Sequence, residues 1–118
     1  VRFKKNIGNE KKIADKMNKI NNNRMLSQPQ KVRTAGSTFK NPISNSEKKA
    51  WELIELSGSR EIAVNDISLS DKHANFIVNK QFISANQIES FGESIKERVL
   101  KVTGVLLEWE IKIIGKYE

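Results

Sequence analysis

The sequence contains no cysteine, which excludes a disulfide framework, thiolate metal sites and a cysteine nucleophile. It has one histidine, His73, so no metal centre is expected. No apolar run approaches the roughly 18 residues that a membrane helix needs, and no signal-peptide pattern opens the chain. A soluble protein with no membrane partner is expected, with the cytoplasm as its default location. There are no internal repeats and no low-complexity tract beyond Asn21-Asn22-Asn23. At 118 residues the chain is one domain at most, large enough for a single core. Its first residue is Val1, and a fragment or a trimmed chain is the expectation.

Acidic residues are scarce at one end. The net charge is +7, which raises the question of a nucleic-acid partner. Within residues 1–24, Arg2, Lys4, Lys5, Lys11, Lys12, Lys16, Lys19 and Arg24 stand against only Glu10 and Asp15. That segment alone carries +6, so the remainder is nearly neutral. Neither Trp51 nor Trp109 lies in a basic, aromatic-interleaved run of the kind single-strand binders use. A solvated lysine face is the commoner origin of such a pattern. A basic nucleic-acid-binding module stays open as the alternative, and so does a non-catalytic interaction domain.

Along the chain, Asn9 can cap a helix carrying Ile13, Met17 and Ile20 on one face, with Asn21-Asn22-Asn23 ending it. Residues 24–34, with Gln28-Pro29 inside them, read as a loop. A second helix is expected after Ser44, whose spacing to Glu47 is that of a capping box. Ala50, Leu53 and Ile54 form its stripe, and Gly58 stops it. Residues 61–69 suggest a short strand, and Asn75-Phe76-Ile77-Val78-Asn79 a second, followed by a turn. The clearest element is a third helix. Ser84 and Gln87 cap it, Ile88, Phe91, Ile95, Val99 and Val102 line it, and Gly104 terminates it. Last, Val105, Leu107, Trp109, Ile111 and Ile113 alternate with Leu106, Glu108, Glu110 and Lys112, the pattern of a half-buried strand. The expected class is α+β, a small sheet covered by about three helices.

One stretch reads as a site: Ala35-Gly36-Ser37-Thr38-Phe39-Lys40-Asn41-Pro42. Small residues allow a ligand close to the backbone, Ser37 can donate a hydrogen bond or a proton, and Asn41 both donates and accepts. Only Phe39 is apolar enough for the core. Taken alone, the octapeptide also fits an ordinary loop before a helix. Glu108 and Glu110 likewise suit either a charged outer face or a carboxylate in a cleft.

With these blocks in view, the chain resembles the C-terminal, substrate-binding domain of the UDP-N-acetylenolpyruvoylglucosamine reductase family. The resemblance runs from about residue 28 to 115. It rests on the octapeptide, on Ala50-Trp51-Glu52-Leu53-Ile54-Glu55 with Ser57-Gly58, and on Ser70-Asp71-Lys72-His73-Ala74-Asn75-Phe76-Ile77-Val78-Asn79. It closes on Gly104-Val105-Leu106-Leu107-Glu108-Trp109-Glu110-Ile111 with Ile114-Gly115. Four blocks in the family's order make the match specific. Lys72-His73-Ala74 fits the form without the tyrosine-bearing insertion of the enterobacterial enzymes.

The resemblance implies an oxidoreductase of peptidoglycan precursor synthesis, hence of cell-wall biogenesis, cell shape and division. Such enzymes use FAD and NADPH to reduce UDP-N-acetylglucosamine enolpyruvate to UDP-N-acetylmuramate. By the same resemblance Ser37 is the proton donor and Glu110 the carboxyl group beside the substrate carboxylate. Asn41 is a ligand of the UDP-sugar, His73 a hydrogen-bonding neighbour and Arg60 a partner of the diphosphate. Glu108 is expected to be structural. Residues 1–27 then form a basic helical lead-in from an upstream domain, and residues 28–118 the substrate-binding domain. The FAD-binding domains, its expected partners, have no counterpart here. Two departures stand out. Asn65-Asp66-Ile67 replaces a glycine-glycine-alanine step, and Met25 occupies a place where some relatives carry a basic ligand, with Arg24 adjacent.

Overall fold

A computed structural model describes residues 1–64 and 66–115. Its elements are α1 (Glu10–Ser27), α2 (Ala50–Leu56), a 3-10 turn (Ser59–Glu61), β1 (Ile67–Ser70), β2 (His73–Asn79) and α3 (Ala85–Thr103). β1 and β2 form a two-stranded antiparallel sheet, with Ile67 opposite Asn79 and an irregularity between Leu69 and Ser70. α2 and α3 pack on each other and on β2. The α+β class expected from the sequence is what the chain adopts.

The core lies between these layers. α3 contributes Phe91, Ile95 and Val99, α2 contributes Ala50, Leu53 and Ile54, and the sheet contributes Ile67, Leu69, Ala74 and Ile77. Burying a large apolar side chain stabilises by about 1.5–3 kcal/mol, so these three faces explain why so short a sheet persists. α3 matches its sequence signals: the Ser84 hydroxyl accepts from the Gln87 N–H, and Gly104 takes the left-handed conformation at φ 73°. Its last apolar position, Val102, points to solvent because the helix there has run past the core.

Three expectations are corrected. α1 does not end at the asparagines but continues through them to Ser27. Asparagine costs a helix less than about 1 kcal/mol, whereas Pro29 forces the preceding Gln28 into extended geometry, φ −127° and ψ 147°. The proline is the true terminator. α2 begins at Ala50, well beyond Ser44. The Pro42 carbonyl accepts from the Asn45 and Ser46 N–H groups, a turn that takes Ser44 out of helical register. The carboxylate that closes the start is instead Glu52, which accepts from the Lys49 N–H at 2.7 Å. Finally, residues 105–115 form no strand ladder. They pair only through the isolated bridge Phe39–Trp109, because the neighbouring segment is too short to carry more. Side-chain alternation nevertheless survives, with Leu107 buried and Leu106 exposed.

α1 buries none of its residues. Ile13, Met17 and Ile20 share a face as their spacing requires, and that face is open. Lys72 Nζ ties the helix end to the sheet by donating to the Met25 carbonyl at 2.9 Å.

Candidate active site

The octapeptide is wedged between β2 and the segment 105–111, and backbone hydrogen bonds hold both of its edges. On the β2 side, Ser37 bridges Phe76, the Thr38 N–H donates to the Asn75 carbonyl at 2.8 Å, and Thr38 Oγ1 accepts from the Ile77 N–H at 3.3 Å. On the other side, the Glu110 N–H donates to the Thr38 carbonyl and the Lys40 N–H to the Glu108 carbonyl, each at 2.8 Å. Thr38, which its polarity did not mark as core, is buried with Phe39. Gly36 approaches this wedge at φ 91°, a left-handed conformation that any L side chain would strain.

Asn75 is the clamp. Its Oδ1 accepts from the Phe39 N–H at 2.9 Å, and its Nδ2 donates to the Phe39 carbonyl at 2.8 Å. Buried backbone groups must find partners, and here one side chain satisfies both groups of a buried residue. Ser37, two positions earlier, is thereby held at the surface of a rigid strand-like segment.

The cleft that results has a volume of about 440 Å³. Ser37 and Glu110 line it together with Asn41 and His73, joining four of the five residues expected from the sequence. Lys40, Lys49, Trp51 and Asn75 line it as well, and sequence reasoning assigned none of them a site role. For Lys49 and Trp51 the available signal is a cation and an aromatic flanking the start of α2, and their spacing does not show which cleft they share. Asn41 has a second task, since its Oδ1 accepts from the Ala50 N–H at 3.0 Å and so supports the start of α2. Its amide NH₂ remains as the group that can face a ligand.

Arg60 is the fifth expected residue and does not line the cleft. Its Nε donates to Glu55 Oε1 at 2.7 Å, and its terminal nitrogens donate to the carbonyls of Ser70 at 2.7 Å and Asp71 at 3.4 Å. The guanidinium therefore braces the turn between β1 and β2. Glu108 forms a loose surface pair with Lys40 at 3.4 Å. Of the departing triplet, Asn65 lies outside the described residues, while the Asp66 carbonyl accepts from the Lys80 N–H.

Burial, and secondarily the nearby Arg60 charge, push the His73 imidazole below its ordinary value of 6.5. The ring is neutral at pH 7. Its Nδ1 accepts from the Asn75 N–H at 3.2 Å, which assigns the proton to Nε2. Because the folded value lies below the unfolded one, the unfolded chain takes up the proton first as the pH drops. The associated stability is present above about pH 6.5 and is lost as the pH falls through the folded value. Proton NMR should show the single histidine titrating with a midpoint below 6.5, moving upward in Arg60→Gln. A midpoint at or above 6.5 in the wild type would contradict this account.

Among the described residues, no group of three or more histidine, cysteine, aspartate or glutamate side chains is arranged to hold a metal ion, and no helix is long and apolar enough to cross a membrane. Comparison with known proteins gives a consistent picture. A family model described as "UDP-N-acetylenolpyruvoylglucosamine reductase, C-terminal domain" matches residues 28–114. A reductase of that name from Rickettsia typhi is 45% identical over 98% of this chain, and one from Beijerinckia indica is 46% identical over 92%. The chain spans 38% and 34% of the length of these two curated relatives. The crystal structure of the reductase (MurB) from Thermus caldophilus superposes with a TM-score of 0.66 at 30% identity, covering 89% of this chain and 36% of that one.

Proposed function

Since the chain belongs to the UDP-N-acetylenolpyruvoylglucosamine reductase family through its C-terminal domain, we propose that it is the substrate-binding and proton-delivering part of such an enzyme. The substrate is UDP-N-acetylglucosamine enolpyruvate, the product UDP-N-acetylmuramate and the place of action the cytoplasm. The observation that carries this reading is that Ser37 and Glu110, far apart in the sequence, line one cleft with Asn41 and His73.

The cleft suits an anionic sugar nucleotide, with two lysines, a neutral imidazole and an amide around an open space. Nothing in its lining forms a glycine-rich cradle for a dinucleotide, so FAD and NADPH are assigned to the remainder of the enzyme. FAD, reduced by NADPH, supplies the hydride to the enolpyruvyl double bond. This chain handles the proton. Hydride addition at one carbon leaves carbanion character at the carbon beside the carboxylate, and Ser37 Oγ gives its proton there, to be replenished from water. A serine hydroxyl is a weak acid, so its effect depends on a basic acceptor and on close positioning. The strand-like wedge provides that positioning. Glu110, at the carboxylate end, stabilises the developing enolate if it carries a proton or holds one through a hydrogen-bonded partner. α1, with its open apolar face, is the lead-in from the flavin-binding part.

In the flavin-loaded reductase containing this chain, Ser37→Ala should leave reduction of the flavin by NADPH intact. Product formation should fall by about 10²-fold or more, the scale of a lost general acid. Normal product yield from that variant would remove Ser37 as the donor and the reading with it.

A further inference from the structure

The segment that carries Glu110 lacks the ladder that ordinarily fixes which way the side chains of a strand face. Its pairing with the octapeptide is one bridge, Phe39–Trp109, with the backbone hydrogen bonds from Glu110 to Thr38 and from Lys40 to Glu108. A slip of one residue along such a segment exchanges its two faces, and here it would turn Glu110 out of the cleft. Side chains must supply the register that the short pairing leaves weak.

Leu107 is buried in the core, but apolar burial has no direction. Trp109 has one. Its indole lies over α3 where Gly92 has no Cβ, packs 5.0 Å from Phe39, and donates from Nε1 to Glu93 Oε1 at 2.7 Å. The same carboxylate oxygen accepts from Lys96 Nζ at 2.9 Å, so the acceptor is itself held in place on the helix. Successive side chains of an extended segment point to opposite sides. With the indole fixed on α3, Glu110 is therefore delivered to the cleft, which it lines and Trp109 does not.

We infer that Glu93 is a positioning residue for the reaction: by anchoring the Trp109 indole to α3, it sets the register in which Glu110 faces the substrate carboxylate. This inference rests on the functional reading above, which gives Glu110 its task. Glu93 stands outside the cleft lining and acts through Trp109. The device needs an acceptor at that point, not a charge. The Glu93 side chain is 45% exposed, and contacts so open to water contribute little to stability. Loss of positioning should thus appear in turnover before it appears in unfolding.

The test uses the flavin-loaded reductase containing this chain, with product formation and flavin reduction by NADPH followed separately. Glu93→Leu should lower kcat for product formation about tenfold or more, the scale on which small misplacements act, and leave flavin reduction unchanged. Glu93→Gln keeps an acceptor for the indole N–H and should restore most of the loss. Trp109→Phe keeps a ring and deletes the donor, so it should reproduce the Glu93→Leu effect and answers the question if that variant folds poorly. In a Glu110→Ala background, Glu93→Leu should cost nothing further, because a residue that acts through Glu110 has no effect once the carboxyl group is gone. Wild-type kcat in Glu93→Leu, or an equal further loss in the Glu110→Ala background, overturns the inference and leaves Glu110 its role. Wild-type turnover in Glu110→Ala alone removes Glu110 from the functional reading, and the inference with it.

Discussion

Asn75→Ala should lower the unfolding free energy by about 2–5 kcal/mol, measured by urea denaturation. The substitution deletes the acceptor for the Phe39 N–H and the donor to the Phe39 carbonyl. Phe39 is 1% exposed, so water cannot readily replace either partner, and each buried polar group left unpaired costs about 1–3 kcal/mol. Against a typical total of about 5–15 kcal/mol, that is a large share. Asn75→Asp separates the two bonds, because it keeps the acceptor but loses the donor and adds a charge. Its loss should be comparable and should ease at low pH, where the carboxyl is protonated. A loss below about 1 kcal/mol in Asn75→Ala would mean that the Thr38 bonds alone hold the octapeptide. The functional consequence follows from the same geometry. Ser37 sits two residues before Phe39, so product formation should fall even where folded protein is recovered.

The second large effect is at Gly92. Mid-helix glycine is ordinarily a weakness, and alanine would be expected to gain about 0.5–1 kcal/mol there. Gly92→Ala should do the reverse. A Cβ at this position would overlap the Trp109 ring at Cη2 and lie 2.8 and 2.9 Å from Cζ3 and Cζ2. The indole cannot step aside cheaply. Its Nε1 donates to Glu93 Oε1 at 2.7 Å, its ring packs 5.0 Å from Phe39, and Lys96 Nζ lies 5.6 Å from its centroid. Burial would push the Glu93 carboxyl up, but the hydrogen bonds from Lys96 and Trp109 outweigh it and hold the group below its ordinary value. Overpacking of this kind costs about 1–3 kcal/mol, and here the strain falls on the residue next to Glu110. Thermal denaturation should show a lower midpoint for Gly92→Ala, and a double-mutant cycle with Trp109→Leu should show coupling of about 0.5–3 kcal/mol. Additivity of the two substitutions would place the strain elsewhere.

Much of this architecture is legible in residues close together in the chain. α3 is readable end to end, because its caps, its stripe and Gly104 are all local signals. The α+β class follows from alternating periods. Elsewhere, local signals compete. Ser44 and Glu47 present a capping pattern, yet a turn in which the Pro42 carbonyl accepts from the Asn45 and Ser46 N–H groups forms there instead. The final apolar alternation has the period of a strand, but a ladder needs a partner of matching length, and residues 38–40 offer only one bridge. α1 carries a readable stripe with nothing among the described residues covering it.

The candidate site divides in the same way. Its chemistry-bearing blocks stand in the sequence: Ser37 after a glycine, Asn41 before a proline, and Glu110 two residues after Glu108. The family, the class of fold and the kinds of group available for chemistry are legible along the chain, because motif order and helical period depend on near neighbours. Which groups share a cleft is settled by the packing of the folded chain. That packing drew Lys49 and Trp51 in beside Ser37 and turned Arg60 away to the β1–β2 brace. The reason is that a side chain's direction is set by contacts distant in sequence. Phe39 is held by Asn75, Trp109 is seated over Gly92, and the Arg60 guanidinium is drawn to backbone carbonyls that only folding brings within reach.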